Sequence, residues 1–210
     1  MKSILSLCDL SGSWSLPYVE AGYEVVQVDV LHPSGCRKVA PNVWRVGCDL
    51  LDVTQQTWYR GLPFHGVLAA PPCTCFCRPA ARWWARQDAE GKTDRDVALI
   101  RRCLDLCQTA TAWWALENPP GRAPKLIPEL GRPAWQFHPW HYGDPWRKQT
   151  YIWGTAVKPP PTVTTEPPRL TYRTPNGRLQ GRISRMSSSW QNQRSETPAG
   201  FARAFCLANP

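Results

Sequence analysis

The sequence predicts an α/β domain built on a mainly parallel sheet, and three observations carry that prediction. Short apolar runs alternate with segments of helical period through the first 120 residues. Several of those runs end on an acid or on proline. The chain has 210 residues, 23.8 kDa and 42% hydrophobic residues, enough for one domain with a sizeable core and at most an added arm.

The elements follow in order. SILSLCDL, from Ser3, reads as a buried strand that breaks into SGSWS. Residues 16–21 suit a short helix that Gly22 stops. Residues 24–30 form a second apolar run that carries Asp29 near its end. Residues 43–50 predict a third strand, with a short helix at 53–59 behind it. Residues 66–69 predict a fourth, which Pro71 and Pro72 break. The clearest helix spans 94–113. Val97, Ile100, Leu104, Cys107 and Thr111 recur there at steps of three and four, and Thr93 or Asp94 is placed to cap it. WWALEN follows as a strand, and AWQFHPW and QTYIWG read as two more around the turn HYGDPWRK.

From Lys158 the texture changes to a polyproline-like connector, PPPTVTTEPP. Residues 169–210 hold seven Arg, no Lys and one acid, a net charge of +6. This divides the chain into a domain at 1–157, a Pro/Arg-rich arm at 158–195, and a Pro-started helix at 196–210 that returns to the domain.

Composition bounds the function. No apolar run approaches the length of a membrane span, and the N-terminus lacks the pattern of a secretory signal, so a cytoplasmic protein is expected. Of 25 basic residues 19 are Arg, the net charge is +9, and Trp occurs 12 times. Arg pairs with phosphate through a planar fork, so this balance points to a polyanionic partner, most often nucleic acid. The nine cysteines are odd in number and irregular in spacing, which argues against a disulfide framework. Cys73, Cys75 and Cys77 lack the spacing of a zinc site, so no metal is expected.

In open α/β sheets ligands lie beyond the carboxyl ends of the strands. Four such ends carry polar or reactive groups: Asp9 to Gly12, Asp29, Pro71 to Cys73, and Glu117 with Asn118. Acids at successive strand ends suit the amine and ribose hydroxyls of a nucleoside cofactor. DLSGSW has one Gly and no phosphate-loop Lys, so the cofactor expected is one without phosphates.

LSLCDLSGSW, APPCTCF, ALENPPG and YGDPWRKQTYIWG resemble, in this order, the motifs of cytosine-C5 DNA methyltransferases, and TPAGFARAF resembles their closing motif. The resemblance runs over nearly the whole chain, and the joint order of the motifs makes it specific. It implies a Rossmann-like fold of the class I methyltransferases that use S-adenosylmethionine. Carried over by position, it makes Cys73 the nucleophile that attacks C6 of a cytosine. Glu117 then holds N3 and the 4-amino group, with Asn118 beside it. It implies a cofactor pocket of Asp9, Ser11, Gly12, Asp29, Val30, Asp49, Leu50, Pro72 and Thr197. Nucleic-acid contacts fall to Arg78, Arg147, Lys148, Thr150, Arg182 and Arg185.

The sequence departs from the family pattern at named positions. Ser13 and Trp14 stand where a second Gly is usual, Thr74 replaces Gln, and Pro119 follows the EN pair. Lys148 and Thr150 replace two arginines. The segment that holds a target-recognition domain in the family is only about 35 residues here. DNA is therefore the expected partner, either single-stranded or read with weak sequence specificity, unless an accessory protein supplies the specificity. Two alternatives stand beside this reading. One is the same chemistry on RNA or a free pyrimidine nucleotide, and the other is a non-catalytic nucleic-acid-binding protein on the same scaffold.

Overall fold

The computed structural model describes residues 2–52, 63–144, 146–166, 171–173, 176–177, 179–181 and 196–210. The helix expected at 53–59 and most of the Arg-rich arm lie outside them. Five strands run in parallel at the centre of an eight-stranded sheet: β1 (Ser3–Leu7), β2 (Glu24–Val28), β4 (Val43–Gly47), β5 (Gly66–Ala69) and β6 (Trp113–Asn118). β3 (Gly35–Ala40) runs antiparallel to β4 at one edge. At the other, β8 (Thr150–Gly154) runs antiparallel to both β6 and β7 (Trp135–Phe137). The order across the sheet is β3-β4-β2-β1-β5-β6-β8-β7. The result is an α/β fold with a mostly parallel mixed sheet, as the alternation of apolar runs predicts.

Side chains alternate across a strand, and each strand feeds two cores. Leu5, Leu7, Val26, Val28, Val67, Ala69 and Leu116 face one side, where α3 (Lys92–Cys107) packs through Ile100, Cys103, Leu104 and Cys107. Ile4, Val25, Leu68, Trp113 and Ala115 face the other. There α1 (Leu16–Glu20) and the C-terminal helix α5 (Ala199–Ala208) cover them. Phe201 of α5 stacks on Phe137 with centroids 3.8 Å apart. Asn209 closes this side, pairing through its amide with both the N–H and the carbonyl of Val157. The helix Ala199–Ala208 thus packs on this side of the sheet.

Two expectations about elements are corrected. The long helix ends at Cys107, not 113, because Trp113 enters β6 and Thr111 donates its N–H to the Phe64 carbonyl. Its N-cap is Gly91, in the left-handed region at φ 70°, and neither Thr93 nor Asp94 caps it. Thr93 donates instead to Asp88 of a preceding helix, α2 (Trp84–Ala89). The Arg-rich segment beyond the connector holds an antiparallel pair, β9 (Thr171–Arg173) with β10 (Leu179–Gly181). The edge strand β3 and the short helix α4 (Ala123–Leu126) have no counterpart in the expected elements. Among the described residues no helix is long and apolar enough to cross a membrane.

Candidate active site

The carboxyl ends of β1, β2, β4, β5 and β6 all open on one edge of the sheet, and the expected site residues lie in the loops that leave them. The first loop is anchored from within. Asp9 is buried, and its carboxylate accepts hydrogen bonds from Ser6 Oγ (2.6 Å), Ser15 Oγ (2.8 Å) and the N–H of Gly12 (2.8 Å). Gln27 Nε2 donates to Ser15 at 3.0 Å, and Arg45 Nε donates to Gln27 Oε1 at 3.1 Å. Gly12 has φ 74°, and a Cβ there would lie 2.5 Å from Gln27 Nε2, so the turn requires glycine. Asp9 thus shapes the loop from beneath, while Leu10 and Ser11 face outward. Trp14 is buried against Phe201 and Phe205 and ties the loop to α5.

The second and third ends are more open. Asp29 turns one carboxylate oxygen to the Leu31 N–H (2.9 Å), and burial raises its pKa. Val30, next to it, is 61% exposed. Asp49 closes a similar turn on Leu51 N–H and pairs with Arg95 of α3 at 2.7 Å. Leu50 is buried, and Pro72 is exposed.

β5 and β6 bring the reactive groups together. Cys73 is half-buried and opens a turn in which the N–H groups of Phe76 and Cys77 both donate to its carbonyl at 2.9 Å. Hydrogen bonding to Cys77, burial and the Glu117 carboxylate together push the Cys73 thiol up. The same bond, seen from Cys77, lowers that thiol to about 6. Lys148 acts on both sulfurs in the opposite sense to Glu117, and its ammonium lies 3.6 Å from Glu117 Oε1. Asn118 is buried and donates from Nδ2 to the Pro71 carbonyl at 3.0 Å, which holds the Pro-Pro-Cys loop against β6. Thr197 lines a small cleft with Glu117, Phe137, Lys148, Glu196 and Pro198. Residues assigned separately to base, cofactor and nucleic acid therefore meet at one place.

Other assigned residues are placed differently. Thr150 is buried, and its hydroxyl donates to the Lys148 carbonyl at 3.1 Å, so its side chain shapes the turn before β8 and meets no outside partner. Arg147 is ion-paired with Glu166. Arg78 is exposed beside Cys77. Arg182 and Arg185 lie outside the described residues.

Two contributors carry no motif in the sequence. Cys77 belongs to a string of cysteines that nothing in the spacing ranks. Arg122 follows the Pro119–Gly121 turn and gathers the whole loop. Nε donates to the Cys75 carbonyl (2.8 Å), both Nη atoms reach Asp88 (2.8 and 2.6 Å), and the guanidinium lies over Trp84. Asp88 is held down to about 2, first by Arg122 and then by Thr93. Replacing Arg122 by Ala is expected to speed amide hydrogen exchange across 75–93, with α5 unchanged. Exchange that rises equally in α5 would show a global loss of stability instead.

No family model matches the sequence, and no curated protein is significantly similar to it.

Proposed function

We propose that this protein transfers a methyl group from S-adenosylmethionine to C5 of cytosine in DNA, through a covalent adduct at Cys73, on a Rossmann-like methyltransferase fold. The observation that carries this reading is the convergence of Cys73, Glu117 and Lys148 at the ends of adjacent strands. The topology supports it. With the edge strand β3 and the reversed strand β8 set aside, the order is β4-β2-β1-β5-β6-β7, a doubly wound order that reverses between β1 and β5. Ligands of such sheets occupy the crevice outside the strand ends at that reversal.

The residues around the reversal suit the cofactor. Asp29 has one carboxylate oxygen without a hydrogen-bond partner among the described residues, suited to ribose hydroxyls. The exposed Val30 beside it offers an apolar face to an adenine ring. Arg95 is paired with Asp49 and Arg45 with Gln27, which suits a cofactor that carries no phosphates. Bound there, S-adenosylmethionine supplies the methyl group as an electrophile.

The chain's own groups prepare the base. C6 of cytosine is a weak electrophile, so the attacking sulfur must be a thiolate. Cys73 Sγ forms a bond to C6, and the C5–C6 π pair moves into the ring, which makes C5 nucleophilic. Glu117 holds N3 and the amino group, so the ring accepts that charge. Lys148, beside Glu117, adds a positive charge where negative charge develops. After transfer the C5 proton passes to solvent, its C–H electron pair re-forms the C5–C6 double bond, the Cys73–C6 bond breaks, and the sulfur recovers its electron pair. A cytosine in a duplex must first be turned out of the stack, at a cost of about a few kcal/mol that single-stranded DNA avoids. The exposed Arg78 and the Arg-rich segment after 169 supply the phosphate contacts.

The test is transfer of labelled methyl groups to double-stranded DNA, single-stranded DNA, RNA and cytidine nucleotides. Label in 5-methylcytosine of DNA is expected, with single-stranded DNA the better substrate. Label only in RNA or nucleotides would move the reading to those substrates. Nucleic-acid binding without cofactor binding would make the protein a binding module.

A further inference from the structure

Among the described residues Trp83 is the one exposed tryptophan, with 47% of its surface open, while the others are buried or half-buried. It ends a 3-10 helix, Arg78–Trp83, that carries Pro79 in its first turn and runs straight into α2. The stretch 76–87 holds Arg78, Arg82 and Arg86 and no acid. Arg86 is paired with Glu90. Arg78 and Arg82 are exposed and have no carboxylate partner among the described residues. The Arg82 guanidinium lies over the Trp83 ring, 5.0 Å from its centroid. An open indole thus stands beside two uncommitted guanidiniums.

This surface is fixed next to the reacting group. Gln87 Nε2 of α2 donates to the carbonyl of Thr74, the residue after Cys73, at 3.3 Å. The Arg78 N–H donates to the Pro120 carbonyl at 3.3 Å, and Cys77 bridges Gly121 in antiparallel fashion. At the far end Arg122 lies over the Trp84 ring and bonds Asp88 and Thr93. The stretch from Arg78 to Asp88 is therefore tied at both ends to the turn that follows β6, and its side chains are ordered before any ligand arrives. A 3-10 helix rises about 2 Å per residue, so Trp83 stands about 10 Å beyond Arg78, the length of about three stacked nucleotides.

We propose that Trp83, with Arg82 and Arg78, is a platform for single-stranded DNA. A base close to the target cytosine stacks on the indole, and the two guanidiniums take phosphates of the same strand. The inference rests on the methyltransferase reading for the place of the target base. Every base has a π face, so stacking of this kind reads no sequence. It does read strandedness. In a duplex those faces are already stacked on one another, and the indole meets one only if a base leaves the stack. Arg pairs with phosphate in either form, so the discrimination lies with Trp83.

The full-length chain provides the test, as wild type, Trp83→Ala, Trp83→Phe and Arg78→Ala combined with Arg82→Ala. Each is titrated without cofactor against a fluorescein-labelled oligodeoxynucleotide that holds one cytosine, as single strand and as duplex. A third probe is the same single strand with abasic sites around the cytosine. Trp83→Ala is expected to weaken single-strand binding about 10- to 10²-fold and duplex binding less than about twofold. Trp83→Phe keeps a ring and is expected to recover most of the loss. On the abasic strand wild type and Trp83→Ala are expected to bind alike, because the base that stacks is gone. A merely structural Trp83 would cost the same on every probe. The double arginine variant is expected to lower the slope of log affinity against log salt by about 1.4, from about 0.7 for each phosphate.

No binding of the single strand by wild type, wild-type binding by Trp83→Ala, or an equal loss on the duplex or abasic probe would overturn the platform. Tighter, Trp83-dependent binding of RNA of the same sequence would overturn DNA as its strand. Methyl transfer to DNA that persists in any of these cases leaves the methyltransferase reading standing. Trp83-dependent binding of the single strand by a protein that transfers no methyl group would support the platform and sink that reading instead.

Discussion

Cys73→Ala is expected to abolish methyl transfer, and Glu117→Gln to reduce it by about 10²- to 10³-fold, with cofactor binding kept in both. Glu117 stands in β6, and Cys73 in the loop that leaves the neighbouring parallel strand β5, which Asn118 holds against β6 through the Pro71 carbonyl. Removing the sulfur removes the bond to C6, and nothing else at the strand ends replaces it. Cys75 is buried on the α3 side and its thiol is pushed up to about 11 by burial, so it is a poor substitute. Gln at 117 keeps the size of the side chain and can hold the base, but it cannot place a proton on N3. Initial rates on single-stranded DNA, with cofactor affinity measured by calorimetry, would check both variants. Activity that survives in Cys73→Ala would assign the nucleophile elsewhere, and Cys77 would be the first residue to examine.

Asp9→Ala is expected to cost about 3 kcal/mol of stability in urea denaturation, because hydrogen bonds to a charged acceptor are each worth about 1.5–3 kcal/mol and three donors lose theirs together. The hydroxyls of Ser6 and Ser15 are buried with it, so water does not readily take its place. The loss reaches the cofactor site through Gly12, whose N–H bonds the Asp9 carboxylate and whose positive φ defines the turn. Cofactor affinity is therefore expected to fall at least about tenfold even in conditions where the variant stays folded. Asp9→Asn, which keeps an acceptor for one or two of the donors, is expected to lie between the two. A variant with unchanged stability but weakened cofactor binding would mean that Asp9 meets the ligand directly rather than shaping the loop from below.

The strands were legible because burial leaves a local mark. SILSL, EVVQV and GVLA are apolar on both faces, as central strands of a parallel sheet must be, and each was found where its run of residues placed it. Helix ends were less legible. The apolar period continues from α3 through Thr111, and only the pairing of β6 with β5 and β8 assigns Trp113 to a strand. The edge strand β3 escaped notice for the opposite reason. GCRKVA is polar and mostly exposed, so no hydrophobic pattern announces it.

The site divides in the same way. Cys73 after two prolines, Glu117 with Asn118, and the acids after the first three strands are visible as residue types at strand ends, and the sequence by itself determined them as candidates together with the α/β class. Tertiary structure alone decided which of them face a ligand. Asp9 bonds inward to its own loop, Thr150 is buried, and Lys148 crosses from the turn before β8 to Glu117. It also decided that Arg122 holds the 73–77 turn in place. The physical reason is one of range. Strand and helix patterns repeat over a few residues and report burial locally. Hydrogen bonds and charge pairs act over a few ångströms between residues tens of positions apart, and only the folded chain brings those atoms within reach.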